Sequence, residues 1–176
     1  MENLTTNKSV LSWLDEKIKL YTPDKVEWID GSKEQVEALR AEACSTGEMI
    51  KLNQELLPDC YLHRTAVNDV ARVEARTFIC TPTEEEAGPT NHWMEPSACY
   101  KMLDDIARGS YKGRTMYIIP FSMGPVGSKF SKIGIEITDS IYVVLNMSIM
   151  TRVGKAVLDV LGDSNDWVRG IHCKCQ

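Results

Sequence analysis

The chain has no long apolar run. Met1 is followed by Glu2 and Asn3, so nothing at its start looks like the apolar core of a signal peptide. No stretch is long and apolar enough for a membrane helix. The sequence therefore reads as cytosolic, with no membrane partner. A basic excess is also missing: 20 Lys and Arg face 25 Asp and Glu, for a net charge of −5. That argues against nucleic acid as a bulk electrostatic partner, and leaves one local anion site open.

Metal and phosphate motifs are scarce. The three histidines, His63, His92 and His172, lie far apart. The "HCKC" run, His172 to Cys175, has no second ligand pair at zinc-site spacing and reads as part of a strand. Gly154-Lys155 is followed by Ala156, with no glycine five residues earlier, so the Walker pattern fails. "GPVGSK" does not fit it either and reads as a tight loop between strands. Ser122 in "PFSMGP" lacks the flanking glycines of a nucleophile elbow. The six cysteines, Cys44, Cys60, Cys80, Cys99, Cys173 and Cys175, are expected to be reduced thiols, mostly small core residues.

What is present is enough for one domain with a core: 176 residues, 43% hydrophobic and 26% charged. Apolar residues at helical spacing predict a helix over Lys8 to Leu20. Ser32 with Gln35 is a capping-box signature for a second. Met49 to Leu62 reads as connecting structure. Pro96 suits the first turn of a third helix, with Cys99, Met102, Leu103 and Ile106 as its apolar face. "RTMYIIP" (114–120), "KIGIEIT" (132–138) and "IYVVLNM" (141–147) are rich in β-branched residues and predict strands, the last two paired across an Asp139-Ser140 turn. One helix is expected over 148–162, capped by Gly162. Interleaved helices and strands predict an α/β (α+β-like) fold, a mixed β-sheet flanked by helices. "WVRGIHCKCQ" begins like another strand and stops without a polar tail. The chain is expected to be a piece of something longer.

"NDVARVEART", Asn68 to Thr77, holds the most suggestive pattern. Read as a strand continuing through "RTFICT", it puts Arg72, Glu74 and Arg76 on one face, because side chains alternate with period two. The row is either a solvated face with offsetting charges or a grip for an anion.

"DVARVE" (69–74), "AGPTNHWM" (87–94), "GRTMYIIPFSMGPVGS" (113–128), "KIGIEITDSIYVV" (132–144) and "IMTRVG" (149–154) together resemble the N-terminal region of GTP-dependent phosphoenolpyruvate carboxykinase, from roughly Asp30 onward. The resemblance implies a single N-terminal, substrate-side domain over 1–176, belonging to a longer enzyme that turns oxaloacetate and GTP into phosphoenolpyruvate, carbon dioxide and GDP in gluconeogenesis. It implies that Arg72 binds the substrate carboxylate, and that Glu74 helps to hold a mobile lid closed. It assigns no catalytic residue to this chain, and Arg76 keeps its reading as a salt-bridge residue. Mn2+ or Mg2+ and GTP are expected in the full-length parent and are bound by no residue of this chain. The family's metal ligands, phosphate loop, lid and nucleotide-binding domain all lie beyond the matched segment, so the isolated chain is expected to be inactive and to self-associate. His92 stands where the family often has asparagine, and Lys129 where it often has proline. A stand-alone, non-catalytic binding or scaffold domain derived from the family is the other reading. A different phosphoryl donor is a third.

Overall fold

The computed structural model describes residues 3–65 and 73–174. It divides into two compact units. One takes the chain up to Arg64 and again from Gly109; the other runs from Thr65 to Arg108.

The first unit is built on a mixed sheet of β1 (Lys25–Trp28), β4 (Thr115–Met123), β5 (Lys132–Thr138), β6 (Arg152–Val153) and β7 (Val168–Ile171). The order is β1-β4-β5-β7, with β6 also beside β4. β1 runs parallel to β4, β5 antiparallel to β4, and β7 parallel to β5. The glycine connector between β4 and β5 is a tight loop closed by its own serines. Ser128 N–H donates to the Pro125 carbonyl, and Ser131 N–H to the Ser128 carbonyl. A separate two-residue ladder joins β2 (Ile50–Lys51) to β3 (Tyr61–Leu62). The expected mixed sheet with flanking helices is therefore what forms.

Alternation along β4 sets the core. Tyr117 and Ile119 share one face and pack with Ile29, with Leu39 and Ala43 of α2 (Lys33–Ser45), and with Ile141, Val144 and Leu145 of α4 (Ile141–Met150). Met116 and Ile118 face the other way, as do Ile135 and Ile137 of β5, and all four are buried. Each such side chain contributes about 1.5–3 kcal/mol by leaving water. α1 (Lys8–Tyr21) begins at Asn7, whose carboxamide oxygen accepts from the Ser9 and Val10 N–H groups. α2 starts at Ser32, as its capping signature predicts.

Three expected elements come out differently. Residues 141–147 form α4 and not a strand, so β5 pairs with β4 and β7 instead. Ile141, Val144 and Leu145 are the residues α4 buries, and they sit at helical spacing; β-branching made the stretch look extended, but packing on α2 and β4 decides. Asp139-Ser140 is accordingly the lead-in to a helix and not a hairpin turn. The single helix expected over 148–162 is split. β6 interrupts it: residues 148–150 finish α4, and α5 (Lys155–Leu161) carries the rest up to its cap at Gly162. The break has a steric cause. Gly154 sits at φ +118°, where a Cβ would lie 2.2 Å from the Asp30 carbonyl oxygen; a Cβ on Gly31 would lie 2.3 Å from that of Val153. Two backbones cross there, and only glycines allow it.

In the second unit, residues 76–81 are not a regular strand. They make one parallel bridge, Ile79 to Trp93. α3 (Pro96–Ala107) buries Cys99 alone; Met102, Leu103 and Ile106 are exposed. The cysteines are not mostly core residues either, since Cys60 and Cys80 are exposed and, among the described ones, only Cys99 is buried. Among the described residues, no helix is long and apolar enough to cross a membrane.

Candidate functional site

Arg72 lies outside the described residues. Its expected neighbours do not lie on a strand. Glu74 to Arg76 form one 3-10 turn, exposed throughout, with the Arg76 N–H bonded to the Val73 carbonyl. Successive residues of such a turn rotate by about 120°, so Glu74 and Arg76 do not share a face as alternate strand positions would. Thr77 closes the turn by donating its hydroxyl to the Val73 carbonyl at 2.8 Å.

The turn rests on the "NHWM" segment. His92 Nδ1 is 3.2 Å from the Glu74 carbonyl oxygen. Its ring lies against that of Phe78, centroids 6.3 Å apart. Ile79 N–H donates to the His92 carbonyl at 2.8 Å, and Met94 N–H returns to the Ile79 carbonyl at 3.2 Å. Trp93 Nε1–H reaches the Thr81 carbonyl at 3.0 Å. Two motifs that stand apart in sequence are thus laced together, and they fix the backbone from which the Glu74 carboxylate projects into solvent. A carboxylate held this way can accept hydrogen bonds from a group that closes over it.

A second polar cluster, in the first unit, was not anticipated from sequence. It gathers where β5 and β7 end and α4 begins. Glu48 Oε1 accepts from the Ser140 hydroxyl and the Tyr142 N–H, both at 3.1 Å, and its Oε2 meets Lys174 Nζ at 2.9 Å. Burial pushes the Glu48 carboxyl upward, but the Lys174 ammonium and the Tyr142 N–H outweigh it, leaving it below the ordinary carboxylate range. Asp139, with its side chain fully buried, takes Arg114 Nη1 at 2.5 Å and the Lys174 N–H at 2.7 Å. Thr138 Oγ1 and His172 Nδ1 are 2.9 Å apart, and the Tyr111 hydroxyl donates to the His172 carbonyl. His63 stacks on Tyr142 at 3.8 Å. The signal was available: Asp139 is an acid inside an apolar run, and a buried carboxylate needs partners. The cluster draws groups from the lead-in to β4, from β5, from α4 and from the segment after β7, so it joins sheet to helix. Among the described residues, no group of three or more His, Cys, Asp or Glu could hold a metal ion.

Comparison with known proteins decides the family. The description "Phosphoenolpyruvate carboxykinase N-terminal domain" matches residues 12–176. The chain belongs to this family. It is similar to "Phosphoenolpyruvate carboxykinase [GTP]" of Anaeromyxobacter dehalogenans (strain 2CP-C), at 54% identity over 168 residues, which cover 96% of this chain and 28% of that one. The protein of the same name from Corynebacterium jeikeium (strain K411) is 48% identical over the same shares of each chain. That from Chlamydia pneumoniae is 49% identical over 166 residues, 94% of this chain and 28% of its own. The chain thus spans little more than a quarter of the length of these relatives. The match begins at residue 12, well before Asp30, so it covers most of α1 as well as the motifs that first carried the resemblance.

Proposed function

We propose that this chain is the substrate-side portion of a longer GTP-dependent phosphoenolpyruvate carboxykinase, a cytoplasmic lyase of gluconeogenesis, and that alone it is inactive. The supporting observation is the family match over 12–176, which includes both "DVARVE" and "AGPTNHWM". Arg72 binds the carboxylate that oxaloacetate keeps as phosphoenolpyruvate forms. A guanidinium fork is suited to this, because it meets a carboxylate with two parallel hydrogen bonds and stays charged at any working pH. Fixing the retained carboxylate orients the bond to the one that leaves. Glu74, projecting from its buttressed turn, accepts hydrogen bonds from the lid when it closes, and closure excludes water. GTP and a Mn2+ or Mg2+ ion that stabilises the enolate are assigned to the rest of the parent. The described residues offer no donor set that fits a metal. The outer edge of β7, last in the sheet order among the described residues, is where the isolated chain self-associates.

The test is a pair of substitutions in the full-length parent. Arg72→Lys keeps the charge and loses the fork. Hydrogen bonds to charged groups contribute on the order of 1.5–3 kcal/mol, so it lowers kcat/KM for oxaloacetate about ten- to a hundred-fold. Arg72→Ala costs more, while the KM for GTP and the melting temperature barely move. A lower melting temperature with unchanged kcat/KM makes Arg72 a structural ion-pair residue and removes it from the site.

A further inference from the structure

The mixed sheet carries one half-buried carboxylate that nothing described satisfies. Glu136 is central in β5, paired with Ile119 of β4 on one side and Gly170 of β7 on the other. Paired residues share a face, so Glu136 lies on the same face as Ile119, the one α2 and α4 cover further along. Its carboxylate is bedded over Gly170: a Cβ there would lie 1.7 Å from Glu136 Oε2. The glycine is thus the seat of the carboxylate. No described residue donates a hydrogen bond to the Glu136 carboxylate or pairs with it. No charge on its neighbours offsets it either. Its cross-strand neighbours are Ile119 and Gly170, its neighbours on that face of β5 are Gly134 and Thr138, and the one ionisable side chain on α4 is the Tyr142 phenol. Burial alone pushes the carboxyl up to about 7. Around it the face stays open, with Glu136 and Gly170 half-buried and Val168 58% exposed.

A solvated glutamate would show no such burial, and a half-buried carboxylate without a donor is a standing cost. The cost disappears when a positive or N–H donor group covers it. The matched residues cover only 28% of the relative from Anaeromyxobacter dehalogenans, and the family is the N-terminal domain, so covering chain exists downstream in proteins of this kind. We propose that this face is a docking surface whose occupant is the part of the parent beyond residue 176, which lays a cationic or N–H donor side chain over the Glu136 carboxylate. This rests on the reading of the chain as part of a longer carboxykinase.

Carbon-13 NMR of labelled glutamate carboxyls tests it, with the Glu136 signal assigned by its loss in Glu136→Gln. In the isolated chain the carboxyl titrates near neutrality. In the full-length parent its proton affinity falls at least a hundred-fold. Near-neutral titration in both proteins overturns the proposal. So does a fall in the isolated chain that grows with its concentration, which identifies a second copy as the occupant. If Glu136→Gln does not fold, amide exchange across β7 of the unaltered proteins, at a concentration where the isolated chain is monomeric, gives the same decision: at least ten-fold slower in the parent supports docking, and equal rates overturn it. Both readouts are independent of turnover, so a parent lacking carboxykinase activity would end the functional reading without altering them.

Discussion

Glu136 and Glu74 are both carboxylates without a described partner, and their surroundings give them different consequences. Glu136 is half-buried, and its carboxyl in the fold sits at about 7, above the ordinary 4.5. A raised acid favours the protonated form in the folded state. Its stabilising effect is therefore complete below the unfolded value and lost as pH rises through about 7. Allowing for solvent on its open side, the isolated chain loses about 1–2 kcal/mol relative to Glu136→Gln between roughly pH 4 and pH 8. Urea titrations of both proteins across that range check this, and parallel pH profiles would refute it. Glu74 is exposed, so on the proposed reading its effect falls on chemistry and not on folding. In the parent, Glu74→Ala lowers turnover at least ten-fold, leaves GTP affinity unchanged, and releases pyruvate where an open site protonates the enolate. Kinetics and product analysis by coupled assay read all three, and unchanged turnover removes Glu74 from the mechanism.

At the scale of elements, one side chain ties together two helices distant in sequence. Asn7 caps α1 with its carboxamide oxygen, while its Nδ2 donates to the Gly162 and Ser164 carbonyls at 2.7 and 2.9 Å, just past α5. Asn7→Ala loses the cap, worth about 1 kcal/mol, and strands two carbonyls at about 1 kcal/mol each. The expected loss is about 2–4 kcal/mol. Asn7→Asp keeps the cap but loses the donors, and falls between. Chemical denaturation ranks the three proteins, and an Asp variant as stable as wild type would show that the link to α5 contributes nothing. Such long-range ties explain where the sequence was readable. α1, α2, β4 and β5 announce themselves through local signals: caps, periodicity and β-branched runs. α4 does not, because its identity comes from Glu48 at its first turn and from the surface made by α2 and β4. The 3-10 turn at Glu74 hid behind alternating charges that mimic a strand, since its support comes from His92, 18 residues away. The roles proposed for Arg72 and Glu74 come only through family resemblance; their spacing alone fits a solvated face equally well.

At the scale of the whole molecule, the two units hold different parts of the proposed work. The sheet unit carries the core and the open face at Glu136, and the smaller unit carries the Glu74 turn. Among the described residues neither offers a metal donor set, and on the proposed reading phosphoryl transfer belongs to the rest of the parent. The most direct measurement is GTP-dependent conversion of oxaloacetate to phosphoenolpyruvate, assayed side by side for the full-length parent and for residues 1–176. The expected result is turnover by the parent that needs a divalent metal and GTP, and none by the isolated chain. Turnover by the isolated chain, or a full-length parent that forms no phosphoenolpyruvate with GTP, would contradict it.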